Sequence, residues 1–280
     1  MAICVGCTRA SVPRAKGSDV KTLTANQTSV LRTFAFYALA SYQDVTDWGC
    51  SACINETKGT SFVSQFNSST EGVHWYLAVH PTTHTIILSF EGTTSERAMT
   101  YFKDIQITRT PWPPGVDDSS VHNGFLESMM AGAPGAMVAL EKQWAKTPNY
   151  RLAITGHSLG AAQAVLFVTY LAVRRRQWLV NTTVYTYGQP RVGNAAFVAY
   201  YQSLGVPTTR VVNQHDVVPR MPTRAWGFAH HGNEVWIRPD DSAVVICPSM
   251  GDEENPQCSV SLSWHELNVA DHRQYFDART

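Results

Sequence analysis

The pentapeptide Gly156-His157-Ser158-Leu159-Gly160 constrains this chain more than any other feature. It lies between a short β-rich run, Tyr150–Thr155, and an apolar, alanine-rich stretch that reads as a helix from Leu159 to about Arg175. A G-x-S-x-G sequence in that setting is a nucleophile elbow. The chain turns sharply from strand to helix, and Ser158 takes a strained backbone conformation. Gly156 and Gly160 leave room for the close approach of other chain segments. The hydroxyl then stands at a helix N-terminus, where aligned peptide dipoles favour a developing negative charge. Without those flanks the same five residues would read as an ordinary glycine-serine turn.

The rest of the chain supplies the frame an elbow needs. From Thr22 to Gln43 the apolar positions Leu31, Phe34, Ala35, Ala38 and Leu39 recur at helical spacing. His74–His80 and Thr85–Phe90 read as strands joined by Pro81-Thr82-Thr83-His84 in a hairpin. A helical stretch over 124–145 precedes the run at Tyr150. After the elbow helix come a strand at Val184–Gly188, a helix over Gly193–Gly205 and a strand at Thr209–Asn213. A further strand pair follows at Glu234–Ile237 and Ala243–Cys247. Strands alternating with helices predict an α/β fold with a mostly parallel central sheet covered on both faces. No repeat, low-complexity tract or domain boundary interrupts the succession. Residues 1–20 are polar and dotted with Pro and Gly, so a mobile N-terminal segment is expected there, with 21–280 as a single domain.

Composition narrows the function. Of 280 residues, 44% are hydrophobic and only 16% charged, which excludes a disordered chain. Twenty-two basic residues balance 22 acidic ones. That leaves neither the basic face of a nucleic-acid binder nor a polybasic membrane anchor. No apolar run approaches the roughly 20 residues that cross a bilayer. Leu159–Val173 comes nearest, but Gln163, Thr169 and Tyr170 interrupt it and three arginines end it. Glycine-rich phosphate cradles and metal-ligand clusters are absent, so no cofactor and no metal are expected.

Six cysteines, at 4, 7, 50, 53, 247 and 258, form an even set suited to disulfides. Cys4-x-x-Cys7 and Cys50-x-x-Cys53 also fit paired zinc knuckles, but 42 residues separate them, far beyond common zinc modules. Sequons at Asn26, Asn55, Asn67 and Asn181 point with the cysteines to secretion. Met1–Gly17 lacks the long apolar run of a secretory signal, so a signal is expected to have been removed or replaced.

Six segments, in order, resemble the fungal class 3 lipases, which are secreted α/β-hydrolases. They are Phe90–Thr93, Val121–Phe125, the elbow with Ala161 and Ala162, Tyr187–Asn194, Asn213–Pro222 and His272–Phe276. The resemblance runs from about Thr22 to Phe276. It implies an α/β-hydrolase fold with a short helical lid, and a triad in the chain order Ser, acid, His. Asp216, in the loop after the strand Thr209–Asn213, is the expected acid; its alternative reading is a turn or cap residue. Glu234, Asp240, Asp241, Asp252, Glu253, Glu254, Glu266 and Asp271 lack both that placement and the matching context. Four histidines follow Asp216. His272 lies in a matching segment and is the expected base, ahead of His265, His230 and His231. His157 reads as a packing and hydrogen-bonding residue beneath the elbow.

The backbone N–H of Leu159 is the first expected oxyanion donor. The resemblance supplies Thr93 as the second, against the reading of Thr93 as a cap. Where the family usually has Arg, this chain has Glu91, which leaves open any lid contact made through that position. Residues 95–107 match the lid, with Met99, Phe102 and Ile105 on its apolar face; the plain alternative is an amphipathic surface helix. A Cys247–Cys258 disulfide is expected over a short loop, and the resemblance implies Cys50–Cys53. Cys4 and Cys7 are left either paired with each other or free.

The resulting expectation is a monomeric, secreted carboxylic-ester hydrolase acting on acylglycerols at an oil–water or membrane interface. A feruloyl-type or short-chain esterase on the same fold is the second enzymatic reading, because Thr at position 93 also occurs in such relatives. A lipid-binding pseudoenzyme is the third, and the intact Ser158, Asp216 and His272 set argues against it.

Overall fold

The structure, a computed structural model, describes residues 19–70, 72–93, 108–249 and 254–280. In order the described strands and α-helices are β1 (Lys21–Thr22), α1 (Ala25–Ala40), β2 (Ser61–Ser68), β3 (Val73–His80), β4 (Thr85–Phe90), β5 (Arg109–Pro111), β6 (Ser120–His122) and α2 (Asn123–Lys146). There follow β7 (Arg151–His157), α3 (Leu159–Arg174), β8 (Thr182–Tyr187), α4 (Ala195–Ser203), β9 (Thr208–Asn213), β10 (Glu234–Ile237), β11 (Val244–Cys247), β12 (Gln274–Tyr275) and β13 (Ala278–Arg279). The strands β3, β4, β7, β8, β9 and β10 carry buried runs too long for a strand covered on one side only, and the other elements pack around them. Among the described residues nine strands make one sheet in the order β1-β11-β10-β9-β8-β7-β4-β3-β2. The five central strands, from β10 through β4, are parallel, and antiparallel pairs extend the sheet at either end.

Both faces of that sheet are covered, and the alternation of side chains shows how. In β3, Trp75 and Leu77 join one core while Tyr76 and Ala78 join the other. The first core packs β-strand residues Ile86, Leu88 and Ile154 against Phe125 and Met129 of α2, Phe167 of α3 and Phe197 of α4. The second packs Ile87, Tyr185 and Tyr187 against Leu31, Ala35 and Leu39 of α1. Every residue of α3 from Leu159 to Ala172 is buried. Its all-round apolar character therefore belongs to a helix enclosed by protein. Among the described residues no helix is long and apolar enough to cross a membrane.

The expected strands and helices are present, with ends that differ by up to three residues. The first helix starts at Ala25 rather than Thr22 because Thr24 caps it reciprocally with Gln27, while Lys21 and Thr22 pair with β11. The sequence reading missed β2. It is one of the sheet's two edge strands, half-buried and rich in Ser, Asn and Gln, with a register shift between Phe62 and Ser64, so its alternation is weak. Cys247–Cys258 and Cys50–Cys53 are both disulfide-bonded, as expected. The N-terminal segment with Cys4 and Cys7, and the whole expected lid over 95–107 with Met99, Phe102 and Ile105, lie outside the described residues.

Beside the sheet, His230 and His231 are buried with no room for a charge. Burial, reinforced by Arg210, pushes the His231 imidazole down to about 3. Burial together with Arg210 and Arg191 holds His230 well below the ordinary histidine value. Both rings are neutral in the folded chain at neutral pH, whereas in the unfolded chain they take up protons below about 6.5. The unfolded state thus binds more protons across that window, and stability falls as pH drops from 6.5 towards 3. Each neutral histidine contributes about 1.4 kcal/mol of loss per pH unit. Urea unfolding at pH 7 and pH 5 checks this: the wild type should lose about 2 kcal/mol more than His231→Gln over that interval. Equal losses would mean that His231 accepts a proton in the folded state.

Candidate functional site

The elbow is closed by three backbones that touch. Strand β7 ends at His157, Ser158 takes φ 57° and ψ −125°, and α3 begins at Leu159. A Cβ on Gly156 would sit 2.3 Å from the Gly160 carbonyl oxygen, and one on Gly160 would sit 2.1 Å from that of Phe90. Only glycine fits at either place, so these two residues let β7, α3 and the end of β4 converge. Ser158 donates its own N–H to the Tyr187 carbonyl (2.9 Å), which ties the turn to β8.

The other two members of the expected triad come from loops beyond the parallel strands. Asp216 follows β9, and His272 sits in a short 3-10 turn before β12. His272 Nε2 lies 2.8 Å from Ser158 Oγ, and its Nδ1 lies 2.8 Å from Asp216 Oδ2. A carboxylate only accepts, so Nδ1 carries the hydrogen and Nε2 is left to accept the serine proton. All three side chains are buried: Ser158 and His272 are 0% exposed, and Asp216 is 2% exposed. Such a buried carboxylate needs donors besides the imidazole. Asp216 Oδ1 accepts the Val218 N–H at 2.8 Å, and Oδ2 accepts the Tyr275 hydroxyl at 2.5 Å. The Val218 bond also makes Asp216 the turn residue of its alternative reading, so the two readings coexist.

The acid and base loops are laced together. Val217 N–H donates to the Asn268 carbonyl (3.1 Å) and Asn268 N–H to that of His215 (2.9 Å). One residue before Asp216 and His272, His215 Nδ1 meets Asp271 Oδ2 at 3.2 Å.

Beneath the elbow, His157 does what its sequence context suggested. Its Nε2 is 2.8 Å from the His272 carbonyl and its Nδ1 is 2.8 Å from the Tyr42 hydroxyl. Burial and the neighbouring His272 hold the ring well below its ordinary pKa, so it is neutral. The carbonyl can only accept, so Nε2 donates and Nδ1 accepts the phenol's hydrogen. Burial and the nearby Glu91 raise the Tyr42 pKa and keep it a phenol.

For the oxyanion side, Leu159 is the first residue of α3, where backbone N–H groups have no partner inside the helix. Glu91, Gly92 and Thr93 continue from β4 across the elbow. A Cβ on Gly92 would meet the His157 carbonyl oxygen and the Tyr42 hydroxyl, each at 2.4 Å, and Ser158 Cβ at 2.9 Å. Thr93, the next residue, is brought to the elbow by that contact.

The competing candidates are engaged elsewhere. His265 bonds Ser263, His230 bonds the Pro219 carbonyl, and His231 meets Gln189. Glu234 pairs with Arg210 at 3.1 Å, and Glu254 with Arg191 at 2.7 Å. Two supporting residues escaped the sequence reading. Tyr275 lies three residues past His272, inside a segment already singled out. Tyr42 closes the expected first helix, and nothing local marks it.

Comparison with known proteins gives the same picture. Residues 87–226 match the family described as Lipase (class 3). A lipase of Rhizopus niveus is 35% identical over 231 residues, 82% of this chain and 57% of its own length. The secreted mono- and diacylglycerol lipase A of Penicillium cyclopium is 33% identical over 192 residues, 68% of this chain and 60% of its own. This chain thus spans less than two thirds of the length of these relatives. The solved structure of lipase II from Rhizopus niveus superposes with a TM-score of 0.86 at 32% identity, covering 93% of this chain and 98% of that one. The fold is that of the α/β-hydrolases, and the chain belongs to the class 3 lipase family.

Proposed function

We propose that this protein is a secreted serine carboxylic-ester hydrolase that cleaves acylglycerols at a lipid interface through an acyl-enzyme. The observation that carries the reading is the buried line Ser158–His272–Asp216, with both hydrogen bonds at 2.8 Å, at a strained elbow. Ser158 Oγ attacks the ester carbonyl as His272 Nε2 takes its proton. Asp216 fixes the imidazole tautomer and stabilises the imidazolium that forms. The negative charge on the carbonyl oxygen is met by the N–H of Leu159 and by Thr93. A single such donor is worth roughly 10²–10³ in kcat. His272 then returns the proton to the leaving alcohol, and water enters by the same route to release the acid.

Secretion and glycosylation are supported by the two disulfides and by the sequons. Asn26, Asn55, Asn67 and Asn181 are all exposed. The Penicillium cyclopium relative is named as secreted.

Two experiments test the reading. Because Ser158 and His272 act as one unit, Ser158→Ala, His272→Ala and the double variant should each lose about 10⁶ in kcat on a soluble ester. A His272→Ala enzyme that keeps most of its activity would show that another residue is the base.

The second experiment addresses the interface. Met99, Phe102 and Ile105 are apolar residues spaced among charges, each worth roughly 1.5–3 kcal/mol when fully buried. Transferring two or three of them to lipid supplies the roughly 5.5 kcal/mol that turns a mostly closed population into a mostly open one. Activity on a short-chain ester should therefore jump as the substrate passes its solubility limit, and Met99→Ser with Phe102→Ser should blunt the jump. A smooth hyperbola in the wild type, with turnover of methyl ferulate exceeding that of acylglycerols, would move the assignment to a feruloyl-type esterase.

A further inference from the structure

His74 and Glu91 face each other at the end of the β3–β4 hairpin. The ladder pairs Trp75 with Phe90, and one step further the Glu91 N–H donates to the His74 carbonyl at 2.9 Å. Their side chains therefore stand side by side on one face of the sheet, and His74 Nδ1 is hydrogen-bonded to Glu91 Oε2. The pair is largely withdrawn from water, with the side chains 13% and 21% exposed. The second ring nitrogen, Nε2, is buried and has no hydrogen-bond partner. Packing of the ring is thus directed at one group, the carboxylate.

That carboxylate occupies an awkward place for an ester hydrolase. Glu91 is bonded directly to Gly92, which packs against Ser158 Cβ, the His157 carbonyl and the Tyr42 hydroxyl. It stands two residues before Thr93. Its charge is felt at the elbow, since it adds to burial in raising the Tyr42 phenol. A bare negative charge so near, in a site screened from water, opposes an oxyanion forming over Leu159 and Thr93. An arginine, the family's usual residue here, would pose no such problem.

We propose that His74 is a positioning residue for the oxyanion loop: its hydrogen bond holds the Glu91 carboxylate against β3, so that the negative charge is kept off an oxyanion developing near Thr93. The proposal rests on the hydrolase reading above. It gives His74 a role in the transition state rather than in substrate binding or folding. Losing His74 harms catalysis because Glu91 is left unheld, and removing the Glu91 charge as well repairs the harm.

The test compares wild type, His74→Phe, Glu91→Gln and the double variant on a soluble short-chain ester. The expected result is a fall of about tenfold in kcat for His74→Phe, the size of one nearby charge in a partly screened site, with KM within about twofold. The inhibition constant of a boronic acid, which forms a tetrahedral anion on the serine, should rise by about the same factor. Glu91→Gln should stay near wild type, and the double variant should recover to the level of Glu91→Gln on both measures.

Unchanged kcat in a folded His74→Phe would overturn the proposal. So would a double variant no better than His74→Phe, which would make the pair a structural contact alone. Should His74→Phe fail to fold, His74→Leu takes its place, since leucine likewise removes the hydrogen-bond donor to Glu91; the same pattern of loss and rescue is expected. A wild type inert towards every ester, with Ser158 unlabelled by a fluorophosphonate, would overturn the hydrolase reading itself. An active wild type with an indifferent His74 would overturn only this inference.

Discussion

The contact on which the structure depends is the approach of three backbones at the elbow. The end of β4, the end of β7 and the start of α3 meet where Gly156 and Gly160 leave no side chain between them. Ser158 holds a backbone conformation that costs of order 1–3 kcal/mol for a residue with a Cβ. The surroundings over-determine that conformation. A parallel strand on each side fixes β7, and α3, buried over almost its whole length, anchors the chain beyond Ser158. The core beneath is there to hold one hydroxyl out of its preferred geometry and in reach of an imidazole.

Around that point the polar groups form a closed set. Asp216 is buried, yet the Val218 N–H, the Tyr275 hydroxyl and the His272 ring all donate to it. His157 is buried and neutral, and both its nitrogens are used, one on Tyr42 and one on the carbonyl of His272 itself. His272 is therefore held from its side chain by Asp216 and from its backbone by His157, the residue next to Ser158. A buried polar network is stabilising only when its members are satisfied. Here the same bonds that satisfy it also aim it.

The two sides of the active centre are assembled differently. The acid and base loops are tied by the Asn268 backbone bonds and the His215–Asp271 pair, on the β9 side of the elbow. Glu91, Gly92 and Thr93 are a direct extension of β4, with the Tyr42 hydroxyl close beneath Gly92 and His74 of β3 hydrogen-bonded to Glu91.

Sequence alone determined a good deal. It marked the elbow, the alternation of strands and helices, the parallel sheet with two covered faces, and the order of Ser158, Asp216 and His272. Local rules suffice for the elbow and the sheet: helical and strand periodicity, glycine spacing, and the need of a G-x-S-x-G turn for a strand before it and a helix after it, whereas Asp216 and His272 were singled out by the resemblance to the class 3 lipases. The edge strand β2 escaped because a half-exposed strand carries little apolar alternation. Tyr42, Tyr275 and the His74–Glu91 pair were decided only by the tertiary structure. Their partners lie 115, 59 and 17 residues away in the chain. A buried polar group is satisfied by whichever neighbour the packing of distant elements brings to it, and no periodicity in the sequence records that choice.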